Sequence, residues 1–330
     1  MTKLENIDVI SVADRVIRKD LGVNPGDEVL ITADHGTDME VVYALMGAAL
    51  AVGAIPTIFI IPSTEGGIWF EGKKSGGYTT KPLLKALEAA DVTINAPDTS
   101  HGPGRLLLKP EFKEIRENLA KKKRKGICLA EGKSTIDFFT RGPITEDPDE
   151  IEKRCNTILE ALQKGEKIRV TSKLGTDVTM NIKGRKVVGG PHTMEEMLVP
   201  IEDTAEGVIV FDGAVAGIRS STVPLRTVVK KGRYTEVTGG PEAAIVKGWF
   251  AEHENGDNLA EFGMGTSVVV RRTGDVQEEK KALGTVHFAM GDGVGHGGER
   301  YCEIHEDLVV YDPTVYVDEK KIMENGKLLI

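Results

Sequence analysis

The chain has 330 residues, 40% of them hydrophobic, enough for one large or two ordinary domains with a sizeable core. Its formal net charge of −9 argues against nucleic acid and anionic membranes as main partners. No apolar run is long enough to span a bilayer, and the charged, amphipathic residues 1–20 do not read as a signal peptide.

In chain order, 6–21 reads as an amphipathic helix and Pro25-Gly26-Asp27 as a turn. A buried strand is expected over 28–33, followed by a loop, Asp34 to Asp38, rich in helix-capping residues. A helix over 39–52 and a strand over 55–61 complete a βαβ unit, which should be parallel. Helices over 81–90 and 112–125 and strands over 92–96 and 126–130 make a second, looser round. Residues 1–145 therefore read as an open α/β sheet domain with helices on its faces. There is no G-x-G-x-x-G and no P-loop. In such sheets ligands gather beyond the carboxyl ends of the strands, where loops hold His35 and His101, the second-tier candidates for substrate contact. The glycine-rich stretch 65–78, with Trp69 and Phe70, reads as a loop able to cover a pocket. The basic run Lys121 to Lys125 reads as a solvated helix end.

A cluster of turn formers at 141–148 reads as a linker, and residues 146–330 as a β-rich α+β metal-binding domain. A helix over 149–164 is followed by short strands over 168–172, 177–182, 207–212, 222–230 and 233–238. Glu195 and Glu196 lie in H-T-M-E-E-M-L-V-P, read as an acidic loop before Pro200. Three cysteines, Cys128, Cys155 and Cys302, are too widely spaced for a disulfide framework or zinc ribbon and fit a reducing cytoplasm.

The chemistry concentrates between Asn258 and Asp307. The run 304–311 suits a strand, and alternation puts His305 and Asp307 on one face. The run 284–290 carries His287, and a third apolar run, closed by Gly263 and Gly265, carries Glu261. Acids and histidines are rare in apolar runs without a partner. Two imidazoles and two carboxylates suit Zn, Mn, Co or non-haem Fe. Glu195 or Glu196 could add a further ligand or a general base. Arg300 and His296, in a glycine-rich loop, are candidates for stabilising developing negative charge.

The pieces S-K-L-G-T-D-V-T from Ser172, I-E-D-T-A-E-G from Ile201, N-L-A-E-F-G-M-G from Asn258, G-T-V-H-F-A-M-G from Gly284 and I-H-E-D from Ile304 carry a family pattern. They resemble the thermophilic metalloaminopeptidases of the aminopeptidase T type, which include a related branch, the 2,5-dihydroxypyridine dioxygenases. The resemblance implies a cytoplasmic homodimer acting on a small-molecule or short-peptide substrate. It implies two divalent metals, Zn, Co or Mn, held by Glu261, His287, His305, Asp307 and, by its spacing to Pro200, Glu195. The implied reaction is hydrolysis of an amide or peptide bond beside a free amine by a metal-activated water. The dioxygenase branch implies instead one Fe(II) and the opening of an aromatic ring. In this chain Asp292, Gly293 and Val294 stand where the peptidases carry a tyrosine, and its length is closer to the dioxygenases. A non-catalytic binding protein on the same fold is a third expectation.

Overall fold

The computed structural model describes residues 3–34, 36–60, 68–70, 73–75, 80–96, 114, 117–118, 125–129, 135–191, 193–215, 219–220 and 223–330. The chain divides into two compact units, Met1–Thr145 and Glu146–Ile330.

The first unit is built on a parallel four-stranded sheet in the order Ile55–Ile60, Glu28–Ala33, Val92–Asn95, Lys125–Cys128. The Glu28–Ala33 strand is apolar at four of its six positions and buried from Val29 to Ala33, as a central parallel strand covered on both faces must be. The helix Met39–Ala51 buries Val41, Val42, Leu45, Ala48 and Ala49. The helix Lys81–Ala89 begins where the Thr80 hydroxyl accepts a hydrogen bond from the Leu83 amide, and it buries Leu83, Leu84 and Leu87 around Leu30. The stretch 65–78, expected as a loop, contains instead an antiparallel pair, Ile68–Phe70 with Lys73–Ser75. The β-forming Ile-Trp-Phe run outweighs the glycines that flank it. His35 and His101 lie outside the described residues, as does most of the helix expected over 112–125.

The second unit opens with the helix Pro148–Lys164. The Asp147 carboxylate caps it, accepting from the Asp149 amide at 2.9 Å, and Pro148 sits in the first turn. Ile151, Cys155, Ile158 and Leu162 recur at helical spacing and face inward. Two antiparallel sheets follow. The eight-stranded sheet runs Arg233–Thr238, Leu225–Lys230, Glu206–Phe211, Asp177–Asn181, Lys167–Thr171, Thr314–Val317, Lys320–Glu324, Lys327–Leu328. The seven-stranded sheet runs Arg219–Ser220, Ala214–Val215, His305–Tyr311, Thr285–Gly291, Leu259–Gly265, Glu195–Leu198, Val188–Gly190.

Alternation divides the seven-stranded sheet into two chemistries. Phe262, Met264, Val286, Phe288, Met290, Leu308 and Val310 belong to one apolar cluster with Val178, Met180, Ile209, Phe211 and Leu225 of the other sheet. Phe288 stands between Phe262 and Phe211, with ring centroids 5.6 and 6.2 Å away. Each such ring contributes about 1.5–3 kcal/mol by leaving water. The residues between these positions, Glu261, His287, His305 and Asp307, must then project from the opposite face. Among the described residues no helix is long and apolar enough to cross a membrane.

Candidate metal centre

Four adjacent strands deliver the polar side chains. Register pairs Glu261 with Ala289, Gly263 with His287, and Ala289 with Asp307, so the three functional side chains crowd one patch of one face. His287 Nε2 lies 2.9 Å from Glu261 Oε1. His305 Nε2 lies 3.4 Å from Glu261 Oε2 and 3.3 Å from Asp307 Oδ1. Glu261 and His287 are fully buried, and Asp307 nearly so.

Gly263 makes this packing possible. A Cβ there would stand 2.1 Å from His287 Cε1 and 2.2 Å from its Nε2, so only glycine leaves room for the ring across the strand pair.

The acidic loop expected before Pro200 is a strand, Glu195–Leu198, paired with the Glu261 strand through Glu195↔Gly265. Its alternation sends the two glutamates to opposite faces. Glu195 joins the cluster, its Oε2 3.5 Å from His287 Nε2. Glu196 turns toward the helix Pro148–Lys164, where its neighbour is Cys155. Burial, countered by the Cys155 thiol and reinforced by Glu195, raises the Glu196 pKa to about 7.

His296 comes closer than its expected role suggested. It ends the 3₁₀ turn Val294–His296, and its Nε2 lies 3.2 Å from Glu261 Oε2. It is 31% exposed, whereas His287 is 0% and His305 10%, so it marks the open side of the cluster. Burial lowers its pKa, against the pull of Glu261. Asp292 holds this loop: its carboxylate accepts from the Gly295 and Cys302 amides, and its carbonyl accepts from His305 Nδ1 at 2.7 Å. That last bond fixes the His305 tautomer and leaves the Nε2 lone pair on the side of the carboxylates, placed to bind a cation. Arg300 binds elsewhere, to Asp203 Oδ2 at 2.7 Å and Asn258 Oδ1 at 3.3 Å.

Two lysines join the cluster that no sequence motif marks. Lys280 Nζ lies 2.9 Å from Asp307 Oδ2 and 3.6 Å from Glu195 Oε2, and Lys281 Nζ lies 3.0 Å from Glu195 Oε1. Both lysines are buried. The short helix Val276–Glu279, capped by Asp275, delivers them, and the chain after it presses on Gly265, where a Cβ would meet Ala282 O at 2.3 Å. Burial opposes the charge on Lys280, but Asp307, Glu195 and Glu261 outweigh it and raise its pKa. Burial also opposes ionisation of the acids. Lys280, Lys281 and His287 nevertheless bring Glu195 to about 2, and Lys280 and His305 hold Asp307 well below the usual carboxylate range. Glu261 is lowered by His296, His287 and His305 against the same burial.

The donor set fits a divalent metal. Buried oxygens of Glu195 (Oε2), Glu261 (Oε2) and Asp307 (Oδ1) have no hydrogen-bond donor, and such atoms call for a partner. Two groups of three have ligand atoms within 4.8 Å of one another: Glu261, His296, His305 and Glu261, His287, Asp307. Imidazole with carboxylate suits Fe, Zn, Mn or Co.

A parallel-sheet unit followed by a β-rich unit, with histidines and carboxylates gathered on one sheet face, makes a mixed α/β protein with a candidate metal centre. The chain belongs to the NicX, 2,5-dihydroxypyridine 5,6-dioxygenase, family, whose model matches residues 14–330. A solved 2,5-dihydroxypyridine dioxygenase from Pseudomonas putida KT2440 shares the fold at TM-score 0.81, with 19% identity over 98% of this chain and 97% of that one. Wild-type AmpT from Thermus thermophilus shares it at TM-score 0.71, with 16% identity over 98% of this chain and 99% of that one. A comparison with curated proteins found no match. The family match favours the ring-cleaving expectation over the hydrolytic one, and the likeness to AmpT is one of fold.

Proposed function

We propose that this chain is a mononuclear Fe(II) dioxygenase that opens the ring of a dihydroxypyridine-like aromatic substrate. The family match over residues 14–330 carries this reading. The donor chemistry supports it: His287, His305 and Asp307, on the paired strands of one sheet, offer the two histidines and one carboxylate that suit non-haem iron. When bound, Fe(II) supplies the redox chemistry that lets dioxygen react with an aromatic ring.

The chain's own residues do the rest. Glu261 links the cluster, lying within 3.4 Å of three imidazoles, and orients them. Asp292 holds His305 in one tautomer through its carbonyl. His296, on the open side, is the group that meets substrate in this reading; its lowered pKa keeps it neutral, able to accept a proton from a ring hydroxyl. The burial of Glu261, His287 and Asp307 excludes bulk water from the reacting face.

The runner-up is a metal-dependent hydrolase with two metals, and one observation favours it: Glu195 adds a third carboxylate beside His287. Labelled dioxygen separates the two. Fe(II)-loaded protein given 2,5-dihydroxypyridine should place both oxygen atoms in a ring-opened product. Unchanged 2,5-dihydroxypyridine, together with cleavage of aminoacyl substrates by Zn-, Mn- or Co-loaded protein, would contradict the proposal.

A further inference from the structure

We infer that the buried lysine pair Lys280 and Lys281 takes the place of a second divalent cation and fixes this site at one metal. The inference rests on the single-metal reading above and explains how the chain enforces it.

Glu195, Glu261 and Asp307 bring three negative charges to one buried face. Three unshielded carboxylates at this spacing would repel strongly in a medium of low polarity. Two ammonium groups answer them. Lys281 Nζ sits on one oxygen of Glu195, at 3.0 Å, and Lys280 Nζ reaches both Glu195 and Asp307, at 3.6 and 2.9 Å. Lys280 thus bridges two carboxylates as a metal ion would.

The charge arithmetic makes the exchange even. Three carboxylates and two ammonium groups leave one net negative charge, and a single dication brings the site to one positive. Remove both lysines, and two dications give the same total. A second dication added to the native site would instead raise it to three positive charges in a buried pocket, which is strongly unfavourable. Glu195 Oε2, 3.6 Å from Lys280 Nζ, and Asp307 Oδ1 accept no hydrogen bond from the lysines, so each carboxylate keeps an oxygen to offer the first metal.

The two lysines are also held to this task by the fold. The amide of Ser267 donates to the Lys281 carbonyl at 2.8 Å, and Gly265 allows that backbone to lie directly on the strand.

The test counts metal rather than turnover. Wild type and the Lys280→Met/Lys281→Met variant are stripped with chelator, dialysed against Mn(II) and analysed for metal per chain. Wild type should hold one equivalent and the double variant two, and adding Glu195→Gln should return the count to one. A double variant that keeps its circular dichroism and still holds a single equivalent overturns the inference. Should the double variant fail to fold, Lys280→Met alone decides. Calorimetric titration then shows a second, weaker Mn(II) site, and an unchanged single-site isotherm is the contrary result. A wild type holding two equivalents defeats both this inference and the single-metal reading. A wild type holding one equivalent but opening no ring defeats only the proposed reaction.

Discussion

The two adjacent glutamates show how much one step along a strand decides. Glu195 lies among lysines and His287, while Glu196 is buried beside the Cys155 thiol. Glu195→Gln should therefore lower turnover by at least about tenfold, as loss of a group that orients a metal-binding histidine does. Glu196→Gln should leave turnover near wild type. Its effect is on stability and has a pH signature. The folded pKa of about 7 lies above the ordinary 4.5, so the folded chain holds this proton more tightly than the unfolded chain. Stability is then lost as pH rises from about 4.5 through about 7. Glu196→Gln should raise the melting temperature at about pH 8 and do little at about pH 5, a difference on the order of 1–3 kcal/mol. Equal melting curves for both proteins at both pH values would contradict the raised pKa assigned to Glu196.

Elements were legible where hydrophobic pattern and local chemistry agree. The strand Glu28–Ala33 and the convergence of His305 with Asp307 follow from residue type and period alone. The Glu195 strand was not legible, because adjacent glutamates before a proline carry poor strand signals and only pairing with the strands on either side makes them one. Lys280 and Lys281 end the run Glu278-Glu279-Lys280-Lys281, four consecutive charges, yet all four are buried. Their partners come from strands far away in the sequence, so no local pattern marks them. His296 reached the cluster through the turn that Asp292 fastens, again a tertiary effect. Gly263 offers a test at this scale. Gly263→Ala puts a methyl on the His287 ring and should cut metal affinity at least about tenfold, with about 1–3 kcal/mol of destabilisation from overpacking. Metal affinity equal to wild type in a titration would show that the ring has room to move.

At the scale of the whole molecule, the buried acids tie stability to pH. Glu195, at about 2, and the lowered Glu261 and Asp307 all have folded pKa values below their unfolded ones. Their contribution is therefore present above about pH 4.5 and lost as pH falls toward about 2. Metal-free protein should lose melting temperature steeply below about pH 4.5, and bound metal should steepen that loss, since protons then compete with the cation. A melting temperature unchanged down to about pH 3 would contradict the assignment of these three acids. The proposed reaction needs a single cluster of side chains to hold one iron where dioxygen can reach it. Oxygen uptake on 2,5-dihydroxypyridine, measured for Fe(II)-loaded wild type and His305→Ala side by side, tests it most directly. Wild type should consume one dioxygen per substrate, and His305→Ala, keeping its fold, should consume none and retain little iron. Full oxygen uptake by His305→Ala, or none by iron-loaded wild type, would contradict it.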